Sequence, residues 1–392
     1  MNRVEKLIQE HCPDGVPFQR ISDLGILISG LAGRTKVDFG HGDDQFVTYK
    51  QVFGSLSVDF TKLERVDLSD GKKQNKLALG DVIFTASSEN LDEVGMSSVV
   101  TRQPESDLYL NSFCFAFRLK DRQILDPEFS KYLFRAPLVR RQIIRSAQGV
   151  TRINISKKRF LELVVPVPPL EVQREIVKVL DLFTELEAEL EAELEARRKQ
   201  YEYYRDQLLT FPEDGGATWT PMGEVLRLRN GRDFKHLGSG HVPVYGSGGV
   251  IAHVQIPAFE GETVLIPRKG SISSVYYVDG PVWTVDTCFY SEINKNRLIP
   301  RYLYHYLLRE DLSRLNTGGG VPSLTQKVLN RLPIALPDLA TQQKIASVLD
   351  KFDALVNDLS SGLPAEIEAR RKQYEYYRDK LLTFKELEAD AA

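Results

Sequence analysis

Chemistry in this 392-residue chain would have to come from few candidates: six histidines, three cysteines, two glycine runs and several clusters of lysine and arginine. His11, His41, His236, His241, His253 and His305 form no HExxH pair or other metal-ligand spacing. Cys12, Cys114 and Cys288 are odd in number, far apart and without CxxC spacing, so buried free thiols are the plainest reading. The glycine runs 245–249 and 317–320 lack both GxxxxGK(S/T) and a GxGxxG opening a helix, and read as turns or points of close backbone approach. The only Pro-Pro, Pro168-Pro169, stands between Val167 and Leu170, unlike the Asn/Asp-Pro-Pro-aromatic motif expected of an enzyme that methylates base amino groups. No nucleophile or acid-base set emerges.

The cations remain. Between Lys131 and Arg159 stand nine basic residues (Lys131, Arg135, Arg140, Arg141, Arg145, Arg152, Lys157, Lys158 and Arg159) and no acidic one. Weaker clusters follow at Arg227, Arg229, Arg232, Lys235 and His236, at Arg268-Lys269, and at Arg297, Arg301, Arg309 and Arg314. Lysine and arginine against phosphate give salt-dependent affinity, while Arg, Asn, Gln and Ser on loops are the types that read base edges. A solvated basic surface is the competing reading of any single cluster. The formal charge of −3 argues against nucleic acid on its face, yet residues 185–196 alone hold six Glu and no base. Without that segment the balance is +3 (−3 plus six), so the chain is polarised rather than acidic.

The elements that carry these residues come in two copies. EARRKQYEYYRD runs from Glu195 to Asp206 and again, unchanged, from Glu368 to Asp379, and both copies continue into LLTF. Upstream, Val172–Asp181 aligns with Thr341–Asp350, with four extra residues in the second copy, about one helical turn. Each half opens with a turn leading to a strand, Cys12–Gly15 and Glu213–Gly215. Each has an apolar strand, Gly80–Phe84 and Gly261–Ile266. Each closes alike, Gly149–Ser156 then Glu162–Leu170, and Gly320–Thr325 then Arg331–Leu339. The bodies between share little, so two diverged modules are each followed by a near-identical helix.

In the first helix Ile176, Leu180, Phe183, Leu186, Leu190, Leu194, Tyr201, Tyr204 and Leu208 form one stripe; about 40 residues make a rod of roughly 60 Å. The second copy carries Ile345, Leu349, Phe352, Leu355, Leu359, Leu363 and Ile367, and the two stripes predict an intramolecular pair. Ser360-Ser361-Gly362-Leu363-Pro364 predicts a kink or split there, with Pro364 opening the distal piece. A Leu-Glu-Ala-Glu cadence at 186–197 reads either as a solvated acidic helix or as a spacer. Identity at positions that packing does not constrain, Arg197, Arg198, Lys199 and Gln200 with Arg370, Arg371, Lys372 and Gln373, predicts one surface shown twice to the same kind of partner.

This layout resembles the specificity subunit of type I DNA restriction-modification enzymes over nearly the whole chain. The resemblance rests on the two-copy architecture, helices entered through Pro-x-x-x-x-Gln (Pro168 to Gln173, Pro337 to Gln342), the segment Trp283–Tyr290 and the Leu-Glu-Ala-Glu cadence. It departs at Gly362 and Pro364. It implies an α+β chain: two mixed α/β target-recognition modules separated by a pair of long antiparallel helices, an intramolecular coiled coil with pseudo-twofold tandem symmetry. It further implies non-catalytic recognition of a split double-stranded DNA site, two docked methyltransferase subunits acting on adenine, and restriction subunits joined through them. S-adenosylmethionine, ATP and Mg would belong to those subunits, with no cofactor or metal on this chain.

The expected division is residues 1–169 for the first module, 170–211 for the first helix, 212–338 for the second module, 339–384 for the second helix and 385–392 for a tail. Polarity and loop position select Arg34, Lys36, Lys72, Lys73, Asn75, Lys76, Ser87, Ser88 and Asn90 for DNA contact in the first module. They select Arg232, Lys235, His236, Ser247, Arg268, Lys269 and Ser271 in the second. No apolar run approaches a membrane span and the first ten residues do not read as a secretory signal, so a cytoplasmic location is expected. The alternative function is a two-module protein-interaction scaffold with a coiled-coil spacer; an enzyme acting alone is the more distant rival.

Overall fold

A computed structural model describes residues 3–212, 215–316, 321–358 and 360–388. The Glu213-Asp214 turn, the Thr317–Gly320 glycine run, Leu359 of the apolar stripe and the end of the tail lie outside the described residues. The chain forms two compact units, Met1–Ala188 with Ala369–Ala392, and Glu189–Glu368. The units do not follow the order module, helix, module, helix: each takes part of both helical copies.

The first unit is built on an antiparallel sheet ordered Gly25–Ser29, Cys114–Leu119, Val82–Thr85 and Ser97–Val99. Side chains alternate faces along a strand. Val82, Phe84, Phe115 and Phe117 therefore point into one core with Phe129, Phe134 and Phe160, while Ile83, Cys114 and Ala116 point into another with Val47, Val52 and Leu110. The helices Pro127–Leu133 and Pro137–Ser146 cover the first face. Asp126 caps the former by accepting from the Glu128 N–H at 2.9 Å, and proline opens each where no backbone donor is needed. A separate three-stranded ribbon joins Ala147–Gln148, Ile153–Ile155 and Ser87–Ser88.

The second unit carries a six-stranded sheet ordered Leu226–Asn230, Cys288–Ile293, Phe259–Pro267, Tyr276–Thr284, Val242–Gly246 and Gly249–Val254. The helix Pro300–Arg309 packs on it, burying Tyr302, Leu303 and Tyr306. His305 is fully buried on this helix, its Nε2 2.7 Å from an Asp350 carboxylate oxygen and its Nδ1 3.1 Å from the Tyr201 hydroxyl.

The first long helix is unbroken from Leu170 to Leu208. Its second copy is split, as the Gly362–Pro364 interruption predicts, into Leu339–Asn357 and Leu363–Leu381. The Asp358 carboxylate accepts from the Ser360 N–H at 2.7 Å, and a Cβ on Gly362 would lie 2.5 Å from the Ala354 carbonyl oxygen. In the first unit Leu170–Ala188 pairs antiparallel with Ala369–Leu381: Phe183 stacks on Tyr377 with centroids 5.4 Å apart, and Arg371 Nε donates to Glu187 at 2.5 Å. In the second unit the symmetric ring pair, Tyr204 on Phe352, lies at 5.6 Å. Lys385 and Leu387, placed by the sequence in a tail, instead bond Val16: the Val16 N–H donates to Lys385 O at 2.8 Å and the Leu387 N–H to Val16 O at 2.9 Å. Among the described residues no helix is long and apolar enough to cross a membrane.

Candidate nucleic-acid interface

The glutamine that closes each Pro-x-x-x-x-Gln pattern sets each module against its helix. Gln173 is fully buried; its carbonyl accepts from the Asp126 N–H at 2.8 Å and its amide donates to Ile124 O and Pro168 O at 2.8 and 2.7 Å. Gln342 repeats this with the Ile299 N–H, Arg297 O and Pro337 O at 2.9, 3.0 and 2.9 Å. Each staple fixes the loop that opens the helix beneath the sheet, and so fixes the sheet's loop edge relative to the long helix.

On that frame the nine basic residues of the long run resolve into two groups. Lys131 is held by Glu128 and Asp181 at 2.6 and 2.8 Å. Arg135 lies inside, donating to the carbonyls of Val52, Phe53, Ser55 and Ser97 at 2.6–3.2 Å. Its guanidinium is pushed down to about 10 by desolvation. Arg140 is buried, donating to Asp92 O, Val94 O and Gly95 O. These three position loops and have no charge to offer a ligand. Arg141, Arg145, Arg152, Lys157, Lys158 and Arg159 are exposed.

Of the loop residues selected from sequence, Arg34 is overturned as a contact: its side chain is 4% exposed, held by Asp70 at 2.6 Å and by the Asp67 carbonyl. Lys36 and Lys73 are exposed; Lys72 and Lys76 are exposed but pair with Asp70 and Asp107 at 3.2 and 2.6 Å, and Asn75 donates to Ser29 O. This loop is therefore partly charge-compensated, with Lys73 left outside the ion pairs. Ser87 is buried, which removes it as an open donor; its hydroxyl oxygen accepts from Arg152 Nη2 at 3.3 Å. Ser88 and Ser87 line a concavity of about 540 Å³ with Tyr49, Phe113, Thr151, Arg152, Glu89 and Glu93. Asn90 is exposed beside it, its side-chain carbonyl accepting from the Asp92 N–H.

In the second unit Arg232, Lys235 and His236 are exposed together around Trp283, whose indole N–H donates to Arg232 O at 2.9 Å. The Arg232 guanidinium lies 5.6 Å from the Trp283 ring centre and the His236 ring 6.2 Å from it. Arg268 and Lys269 line a small cleft with Asn230, Ser323, Thr325 and Gln326. Ser247 is half-buried and accepts from the Tyr276 hydroxyl through its carbonyl, while Ser271 is exposed. Sequence reasoning passed over Phe113, a half-exposed aromatic 5.4 Å from the Arg152 guanidinium. Its only local signal is an aromatic beside the Asn111-Ser112 turn.

The repeated helix surface has matching internal contacts. Arg197 donates to Gln200 Oε1 at 3.0 Å and Arg370 to Gln373 Oε1 at 3.2 Å. Lys199 pairs with Glu195 at 2.6 Å; Arg198 and Lys372 are exposed, and Arg371 takes Glu187. Tyr203 and Tyr376, at equivalent places in the two copies, are 61% and 62% exposed. All three cysteines are buried, and among the described residues no group of three His, Cys, Asp or Glu is placed to hold a metal.

A family model described as the type I restriction modification DNA specificity domain matches residues 15–196 and 218–369. The type I restriction enzyme EcoR124I/EcoR124II specificity subunit of Escherichia coli is 35% identical over 269 residues, which cover 59% of this chain and 64% of that protein. This chain thus spans less than two thirds of that relative's length. A type I specificity subunit of Mycoplasma pneumoniae, its function assigned putatively, is 31% identical over 238 residues, 57% of this chain and 97% of its own. The crystal structure of a type I restriction-modification system S subunit from M. genitalium superposes with a TM-score of 0.58 at 18% identity, covering 94% and 96% of the two chains, a likeness of fold.

Proposed function

This chain belongs to the type I restriction modification DNA specificity family, and from that membership we propose that it recognises a bipartite, asymmetric double-stranded DNA target with an unspecified spacer. It directs adenine methylation and restriction by partner subunits and performs no catalysis itself. The observation that carries this reading is one frame built twice and decorated differently. The Gln173 and Gln342 staples and the two Phe-Tyr ring pairs repeat, whereas the exposed loop residues differ: Lys36, Lys73 and Asn90 in one unit and Arg232, Lys235 and His236 in the other. Like frames that carry unlike loops are what two different half-sites require; base contacts specify while backbone contacts position.

The identical helix surfaces around Arg197–Gln200 and Arg370–Gln373 support two equivalent docking places for methyltransferase subunits. Those subunits would hold S-adenosylmethionine, and the restriction subunits ATP and Mg. Mapping methylated adenines in cells that express this chain with its methyltransferase subunits tests the proposal. The expected result is one motif made of two unlike half-sites around a fixed gap; a continuous or palindromic motif overturns it. The interaction-scaffold reading predicts duplex affinity without sequence preference, which binding measured against salt on target and scrambled duplexes separates.

A further inference from the structure

Resting on that reading, we infer that the ribbon Arg145–Arg159 of the first unit, with Arg152 at its tip, grips the phosphate backbone of duplex DNA without reading sequence, and that Arg268, Lys269 and Lys327 do so at the equivalent edge of the second unit.

The first observation is charge. The five cations of this segment (Arg145, Arg152, Lys157, Lys158 and Arg159) are exposed, as is Arg141 just before it, and among the described residues none of these is in an ion pair. The Lys72–Lys76 loop, by contrast, faces Asp70 and Asp107. A polyanion gains from uncompensated charge and not from charge already neutralised.

The second is shape. Ala147–Gln148 pairs antiparallel with Ile153–Ile155, Ala147 opposite Ile155 and Gln148 opposite Asn154, with Ser87–Ser88 on the far side of Ile153–Ile155, so the cations flank the turn at the edge of a small three-stranded ribbon. Its tip requires glycine: Gly149 has φ +115°, and a Cβ there would meet Arg152 O at 2.2 Å. Val150 next to it is 95% exposed. Arg152 is held ready, its guanidinium bonded to the Ser87 hydroxyl and set against the Phe113 ring. A planar fork positioned in advance loses little freedom on meeting a phosphate. Glu89 and Glu93 line the same concavity as Arg152 without an ion pair to it.

The third is recurrence. In the second unit Lys269 bridges Ser323 as Ser87 pairs with Asn154 in the first, and each pair directly follows the matching apolar strand, Phe259–Pro267 or Val82–Thr85. Positive charge thus stands at the same edge in both units, supplied by the opposite strand: Arg152 reaches over Ser87, while Lys269 occupies the Ser87 place itself. Lys327 stands where Lys158 does, and Val321 at the matching tip is 67% exposed. Charge kept at one place by different residues is what a contact with the sequence-independent backbone requires.

The test is the slope of log affinity against log salt for this 392-residue chain on its target duplex. Each phosphate contact contributes about 0.9 to that slope. The variant Arg152→Ala, Lys157→Ala, Lys158→Ala should flatten it by about 2.7 and leave the preferred sequence of both half-sites unchanged. Arg268→Ala, Lys269→Ala, Lys327→Ala should do the same from the second unit. The charge-preserving set Arg152→Lys, Lys157→Arg, Lys158→Arg should keep the slope, which separates lost charge from lost folding, and Lys62→Ala, Lys295→Ala, at cations held by Asp59 and Glu262, should leave it unmoved. An unmoved slope in the alanine triples, or an altered half-site preference, overturns the assignment while the recognition reading stands. A wild-type chain without salt-dependent duplex affinity overturns both.

Discussion

Gln173 and Gln342 show what a spacing can and cannot tell at the scale of single residues. The Pro-x-x-x-x-Gln pattern is plain in the sequence, but its work depends on backbone groups of Asp126 and Ile124, or of Ile299 and Arg297, far away along the chain. No local pattern names a tertiary partner. The same blindness merged Arg135 and Arg140 with their exposed neighbours: charge is legible in sequence, whereas which arginine turns inward to carbonyls is decided by packing. Replacing Gln173 by Ala strands one buried N–H and two buried carbonyls, at about 1–3 kcal/mol for each group left without a partner. The expected outcome is a marked fall in the urea midpoint, with Gln342→Ala matching it in the other unit; a wild-type midpoint for either would show that water replaces the staple. The thiols give a second check. Burial pushes Cys114 and Cys288 up to about 12, so both stay protonated, and unreactive, throughout the pH range in which the protein is handled. Thiol reagents at pH 7–9 should label neither before unfolding and both after it; labelling of the native protein that climbs across that range would contradict the burial.

At the scale of elements, the helices were the most legible part because a 3.6-residue period sustained over ten turns needs no tertiary information. The split was legible too, since glycine and proline act on the backbone they belong to. What periodicity could not show is how the break is made. Gly362 lies against the carbonyls of Ala354, Leu355 and Asp358, with no room for a methyl group. Gly362→Ala should therefore lower stability by about 1–3 kcal/mol, the range for overpacking, although alanine favours helix; a stabilised variant in thermal melts would mean the break is an accident of composition. The unbroken first helix predicts a functional effect. Inserting one Leu-Glu-Ala-Glu unit after Glu193 adds about 6 Å of helix, one to two base-pair rises of roughly 3.4 Å. Methylation mapping should then show a longer gap between unchanged half-sites; altered half-sites around the original gap would end the spacer proposal.

For the whole molecule the decisive fact is that the first unit is not contiguous. Tyr374, Tyr377, Leu381, Leu382 and Phe384 belong to its core or pack on it, beside Val4, Val172, Ile176 and Leu180, while Lys380 pairs with Glu5 at 3.0 Å and Lys385 and Leu387 bond Val16. The second unit runs without interruption from Glu189 to Glu368. The repeat made two copies legible, but not this exchange. A helix stripe declares that it must be covered, and either copy of a near-identical pair covers it equally well on paper. The asymmetry has a direct consequence for a chain that stops after Glu368. Leu381 and Leu382 each bury a side chain worth about 1.5–3 kcal/mol, and with the aromatic residues beside them their loss approaches the 5–15 kcal/mol that holds a domain folded. Truncation at that point should leave a protease-resistant piece close to 189–368 and a rapidly digested 1–188. Supplying residues 363–388 as a separate peptide should restore protection to the first unit, because the missing contacts are side-chain burial, ion pairs and short backbone pairs that need no covalent link. Equal resistance of both halves in the truncated chain would show that the first unit closes its core without the returning helix.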